Sequence, residues 1–346
     1  MLYNKIKDNK GCDGVAQLRF ESTHQMISQI RLEEGLFQRA LEANDEAIWF
    51  YDSTLPASYT NVVINSISPA RRFGLPPREA SKSLSVYAEM IEFLDLLKPA
   101  RNTKVIALGG GALCDAVAFV ASTYLRGLPL TLIPTTLLAM VDAAIGGKTA
   151  LNTEYKNRIG TFYPAQEVWV DPVFLSTLDE TLMAEGMSEI IKVAAVFDAT
   201  FFEALEQKKW PMEKVIAHAI RLKIDCAQAD LTDQGTRQLL NFGHTLGHAL
   251  ESYHQYGYPH GQCVGAGMVL MTQDQPFGPR LRRVLEQYHA FVPIPYQKET
   301  LLAYVLGDKK RQGSQLTLIR LNRIGEGVLV PIELDALSDY VEEAYR

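Results

Sequence analysis

Four cysteines in 346 residues, Cys12, Cys114, Cys226 and Cys263, include no CxxC pair. Such scatter reads as free thiols in a reducing cytosol rather than as a disulfide framework. The first residues, "MLYNKIKDNKGCDG", carry no apolar core of a secretory signal. Nor does an uncharged apolar run reach membrane-spanning length, because Asp142 interrupts the best candidate. A cytoplasmic location without membrane contact is therefore the expectation. Basic excess is also missing: 34 Lys and Arg against 40 Asp and Glu leave a net charge of −6. That balance argues against nucleic acid as the main partner and makes local cation clusters the ones to follow. There is no internal repeat, low-complexity tract, GxGxxG or HExxH.

What is present is an ordinary globular composition, 47% hydrophobic and 21% charged, in a chain long enough for two packed domains. "EAIWFYD" (46–52), "KVIALGGG" (104–111) and "LTLIPTT" (130–136) are short apolar runs ending in turn residues, as in buried parallel strands. Between the last two lies a stretch of helical length, so 104–136 reads as a βαβ unit. "SPARRFGLPPREASK" (68–82) reads as a Pro-rich connection, and residues 1–45 are illegible. After Asp171 long helical patterns with few strand signals take over, while "TQDQPFGPRL" (272–281) reads as a loop. The expectation is an α/β domain over 1–177 and a mostly α-helical domain over 178–346.

Several stretches carry chemistry. "LGGGALCD" joins a strand to a helix through glycines, which lets backbone N–H groups approach a pyrophosphate or simply makes a tight turn. "IPTTLLAMVDAAIGGKTALN" adds a second strand end, Asp142 and Lys148; it is no P-loop, since Asp142 occupies the required glycine position. "MSEIIK" places Glu189 and Lys192 one turn apart among apolar neighbours, which favours a cavity lining over an exposed ion pair. In "RQLLNFGHTLGHALE", Arg237, Asn241, His244, His248 and Glu251 fall within a ~80° arc if the stretch is one helix. His244 and His248 have the i,i+4 spacing of a helical metal pair, and the glycine-flanked His260 offers a third imidazole. By spacing alone both helical histidines qualify. Lys223 and the "DKKRQG" segment (308–313) read by default as solvated charge.

Together these segments, with "TYLRG", "KNRIGTFY" and "PHG", resemble the dehydroquinate synthase family in content, order and separation from about Asp52 onward. The resemblance implies an N-terminal Rossmann-like domain holding NAD, an α-helical C-terminal domain holding a divalent metal, Zn2+ or Co2+, and a cleft between them. It implies Glu189, His244 and His260 as metal ligands, with His248 facing substrate. The positions matching NAD contacts are Asp52, Glu79, Lys82, Gly110 and Gly111, followed by Asp115, Thr135, Thr136 and Lys148. Asp142, Lys148, Asn157, Lys192, Lys223, Arg237 and Asn241 match residues that bind the anionic sugar-phosphate substrate. Lys309 or Lys310 supplies a further contact, and Arg126 matches an arginine reaching the phosphate from a neighbouring subunit, which implies a homodimer.

The implied reaction converts a seven-carbon keto acid phosphate to 3-dehydroquinate and phosphate. It proceeds through transient oxidation by NAD, elimination, re-reduction and aldol closure, in the shikimate pathway of aromatic amino acid biosynthesis. Five features depart from the usual pattern: Cys114 in the glycine loop, Gln262 after "HG", Val193 after Lys192, Arg78 before Glu79, and a missing glycine before Lys156. None removes an implied ligand. Alternatives are an amino-dehydroquinate synthase or other sugar-phosphate cyclase, an NAD- and metal-dependent polyol dehydrogenase, and a non-catalytic binding protein.

Overall fold

The computed structural model describes residues 7–10, 16–19, 27–44, 46–309, 315–341 and 345. Cys12, His24 and Lys310 lie outside the described residues, as does the side chain of Lys309. An antiparallel pair, β1 (Lys7–Lys10) and β2 (Ala16–Arg19), comes first. It is followed by β3 (Gln29–Leu32), α1 (Leu36–Ala43), β4 (Ile48–Asp52), α2 (Ala57–Ser66) and β5 (Arg72–Leu75). Next come α3 (Leu84–Leu97), β6 (Val105–Gly109), α4 (Gly111–Thr123) and β7 (Leu130–Pro134). A hairpin, β8 (Lys148–Leu151) and β9 (Ile159–Phe162), then leads to β10 (Glu167–Val170).

Six of these strands form one sheet in the order β3-β10-β7-β6-β4-β5, every pairing parallel. With β4 as first strand, β5-β4-β6-β7-β10 is a doubly wound 2-1-3-4-5 order, extended at one edge by β3. Strands β6 and β7 are buried along their whole length, as central parallel strands covered on both faces must be. The strand order reverses between β4 and β6, so a crevice opens where Asp52 and Gly109 end their strands. The 68–82 connection holds a strand after all: β5 is the sheet's edge, where four residues between prolines suffice.

Beyond β10 the chain is helical: α5 (Glu180–Phe197), α6 (Ala199–Glu206), α7 (Met212–Ala229), α8 (His244–Tyr253), α9 (His260–Leu270), α10 (Gly278–Gln287) and α11 (Lys298–Lys309). Asp179 caps α5 by accepting from Leu182 N–H, and twelve of its residues are buried. The presumed loop at 272–281 ends early, because α10 begins at Gly278 with Pro279 in its first turn, where no N–H is needed. An antiparallel hairpin, β11 (Gln315–Arg323) and β12 (Glu326–Glu333), packs against α5 and adds strand to this half. Among the described residues no helix is long and apolar enough to cross a membrane.

Candidate active site

The 237–251 stretch is not one helix. A 3-10 turn covers Thr236–Asn241, and α8 starts at His244 after Gly243, whose φ of 78° is left-handed. A Cβ at Gly243 would meet Met268 Cγ at 2.6 Å and Val264 O at 2.7 Å, so α9 presses directly on the break. His244, His248 and Glu251 keep one face of α8, whereas Arg237 and Asn241 are turned out of that register.

Helix α5 brings Glu189 and Lys192 to the same place, both 2% exposed and ion-paired. Glu189 Oε2 accepts from Lys192 Nζ, but Oε1 is buried without a hydrogen-bond partner. That orphan oxygen faces two imidazole nitrogens, His244 Nε2 at 3.5 Å and His260 Nε2 at 3.9 Å. The ligand atoms of these three residues lie within 4.8 Å of one another. One carboxylate and two imidazoles suit a divalent cation such as zinc and leave coordination positions for substrate. Leaving a buried carboxylate oxygen unpaired costs on the order of 1–3 kcal/mol, which a cation there would offset. Burial, then the charges of Lys192, His248 and His260, holds the His244 imidazole well below its ordinary pKa, in the neutral form that ligates. The ring of His248 stands 5.2 Å from that of His244 and 5.9 Å from that of His260, centroid to centroid, on the exposed side.

Each ligating ring has a second partner. His244 Nδ1 lies 3.3 Å from Phe242 O, and His260 Nδ1 lies 3.1 Å from Glu251 Oε1. Glu251, to which the sequence assigned no task, is thus engaged, and Lys156 Nζ comes within 3.7 Å of the same oxygen.

Next to the cage is a cation cluster. Asp142 sits in a π-helical turn, Ala139–Ala143, a local widening common at functional sites, and accepts from Lys223 Nζ. Burial alone would raise its carboxyl pKa; Lys223, Lys192 and Lys148 together drive it far below the usual carboxylate range. Lys192 therefore links cage and cluster. Lys148 pairs with Asp233, a second carboxylate that spacing could not single out. Arg237, 1% exposed, donates to Leu231 O at 2.9 Å and Gly146 O at 3.1 Å, while its Nε has no partner. Asn241 ends its turn exposed. Arg126 stands apart: it is exposed, with Leu125 and Arg126 both at positive φ, and no hydrogen bond or ion pair among the described residues ties it to the cage.

At the sheet's crevice Gly110 precedes α4, whose first turn has no side-chain cap. Added side chains would be crowded there: a Cβ at Gly111 would meet Ala143 Cβ at 3.0 Å and one at Gly110 would meet Thr136 Cγ2 at 3.3 Å. Free N–H groups at a helix N-terminus, left open to close approach by glycine, are suited to receive a diphosphate. Thr135 N–H donates to Gly109 O at 2.9 Å, and Thr136 Oγ1 accepts from Ala139 N–H. Buried Lys82 pairs with Asp115 at 2.7 Å and donates to Asn157 Oδ1; Asn152 joins Glu79 at 2.6 Å. Burial raises the Asp115 carboxyl to about 6 against the opposing charge of Lys82. Asp52 closes β4 and accepts from Thr54. Arg78 holds a φ of 52°, which explains why a glycine is usual there.

Residues 72–185 match the 3-dehydroquinate synthase N-terminal family and residues 186–311 the 3-dehydroquinate synthase C-terminal family. A 3-dehydroquinate synthase of Latilactobacillus sakei subsp. sakei is 37% identical over 284 residues, 79% of this chain and 80% of that protein. One from Streptococcus agalactiae serotype V is 34% identical over 345 residues, 91% of this chain and 96% of that protein. Among solved structures, 2-epi-5-epi-valiolone synthase from Streptomyces hygroscopicus subsp. jinggangensis 5008, with NAD+ and Zn2+ bound, gives a TM-score of 0.81 at 25% identity. That match covers 93% of this chain and 98% of that one. Motifs, sheet order and cage thus converge, and the chain belongs to the 3-dehydroquinate synthase family.

Proposed function

We propose that the chain converts 3-deoxy-D-arabino-heptulosonate 7-phosphate to 3-dehydroquinate and inorganic phosphate, as a phosphorus–oxygen lyase. The observation that carries this reading is the junction at Lys192, which pairs with the metal-type carboxylate Glu189 and also belongs to the cation cluster around Asp142. A polyol dehydrogenase needs a cofactor cradle and a cage but has no use for so many cations beside them. A substrate carrying both a carboxylate and a phosphate does.

Glu189, His244 and His260 would hold the divalent metal, zinc or cobalt. Asp52, Glu79, Lys82, Gly110, Gly111, Asp115, Thr135, Thr136 and Lys148 would border NAD. Bound there, NAD supplies reversible oxidation of a substrate hydroxyl, and the metal supplies Lewis-acid polarisation of that oxygen. Lys148, Lys192, Lys223, Asn157 and Arg237 bind the substrate's anionic ends, with Asp142 keeping the lysines in place. His248, exposed beside the cage, and Asn241, exposed at the end of its turn, orient the reacting oxygens. Arg126 reaches the phosphate of a partner copy in a cytoplasmic homodimer, a reading supported by its exposure.

Incubation with the keto acid phosphate, catalytic NAD and zinc should release stoichiometric phosphate without accumulating NADH. Stoichiometric NADH without phosphate would refute the reading and favour the dehydrogenase.

A further inference from the structure

His260 lies between two carboxylates. Its Nε2 looks toward Glu189 Oε1 at 3.9 Å, and its Nδ1 toward Glu251 Oε1 at 3.1 Å. A neutral imidazole has one N–H and one lone pair, so a proton held on Nδ1 by Glu251 leaves the lone pair of Nε2 for the cage. Glu251 is 4% exposed, and a carboxylate is buried that deeply only when something compensates it. Besides His260 itself, part of that compensation arrives from the other half of the chain. Lys156, in the connection between β8 and β9, places Nζ 3.7 Å from Glu251 Oε1 and 4.2 Å from the centre of the Tyr256 ring. His244, by contrast, rests its Nδ1 on the carbonyl of Phe242, within its own turn. The two ligating rings are therefore oriented by different means, one local and one tertiary.

We propose that Glu251 is a positioning residue that fixes the tautomer and ring plane of His260, so that Nε2 faces Glu189 Oε1 and completes the metal cage. The inference rests on Glu189, His244 and His260 being the ligands. A carboxylate behind a ligating histidine characteristically accounts for about 10–100-fold in metal affinity.

The test uses the full-length chain, stripped of metal, with Zn2+ titrated against a chromophoric chelator and Co2+ followed by its visible spectrum. Glu251→Ala should bind zinc about 10–100-fold more weakly, still at one ion per chain, with an altered cobalt spectrum because the His260 ring is released. Glu251→Gln, which keeps an acceptor but loses the charge, should fall between Glu251→Ala and the wild type. In a His260→Ala background, Glu251→Ala should weaken binding no further, since the ring it positions is gone. A role confined to packing would lower the unfolding midpoint while leaving chelator competition and cobalt spectrum unchanged, and that result overturns the proposal. If Glu251→Ala does not fold, Glu251→Gln decides: wild-type zinc affinity overturns the proposal and weakened affinity supports it. A second outcome that overturns it is loss of all binding in Glu251→Gln with retention in His244→Ala, which would make Glu251 a ligand in a His248, Glu251 and His260 set. Full metal affinity in His260→Ala would instead sink the ligand assignment itself, so the two failures are distinguishable.

Discussion

Substituting Gly267 with alanine tests how helix packing builds the cage. Gly267 follows His260 by seven residues on α9, about 20° around the axis, so both lie on one face. That face rests on the start of α8. A Cβ at Gly267 would lie 2.0 Å from Gly243 O and 2.9 Å from Gly247 N. Both are backbone atoms, which cannot swing aside. Restoring even a 3.0 Å contact requires about 1 Å of separation between the helices. Such overpacking costs about 1–3 kcal/mol. Metal–ligand distances tolerate only about 0.2 Å, so a shift several times larger should weaken zinc binding roughly tenfold or more. Urea unfolding of the metal-free protein and chelator competition measure the two effects. Gly278→Ala, at the start of α10, is the control: its Cβ would lie 2.0 Å from Thr272 O, so stability should fall while zinc affinity holds. Wild-type urea stability in Gly267→Ala would refute the packing argument. Lost stability with wild-type zinc affinity would refute its connection to the cage.

Three further outcomes are expected. His260→Ala should lose its metal on dialysis, whereas His248→Ala should keep it by elemental analysis and lose at least about 100-fold in phosphate release; retained metal in the first would show that the wrong histidine was chosen. Asp142 has a folded pKa held below its unfolded value, so it stabilises the fold fully above about pH 4 and progressively less as pH falls toward the depressed value. Asp142→Asn should therefore flatten the acid limb of urea stability measured between about pH 5 and 2, and an unchanged limb would contradict the lysine cluster. Replacing Arg237 by methionine strips charged donors from Leu231 O and Gly146 O and should cost about 1.5–3 kcal/mol in urea unfolding.

Elements whose burial follows one simple period were legible. The βαβ unit at 104–136 appears as β6, α4 and β7, and the long apolar patterns after Asp171 appear as α5 and α7. Two kinds of element were not. Strand β5 is four residues long between prolines, and its place comes from parallel pairing with β4, a partner some twenty residues earlier. The β11–β12 hairpin lies in a region read as helical, although "QLTLIRL" alternates burial for most of its length. At Gly243 the apolar spacing continues straight across a break that the spacing itself cannot reveal. What requires a left-handed residue there is the approach of Met268 and Val264 from α9.

The candidate site divides along the same line. The sequence determined which chemical groups are available and which elements carry them: a carboxylate and a lysine one turn apart on α5, two histidines one turn apart on α8, and a third at the start of α9. Periodicity reaches that far because it needs only a helix's own geometry. It could not choose between His244 and His248, nor find the partner of Glu251. Both depend on distances between helices, which here are set by backbone contacts at Gly243, Gly247 and Gly267. Only in the packed molecule does Glu189 Oε1 face His244 and His260 rather than His248, and only there does Lys156 cross from one half of the chain to Glu251 in the other.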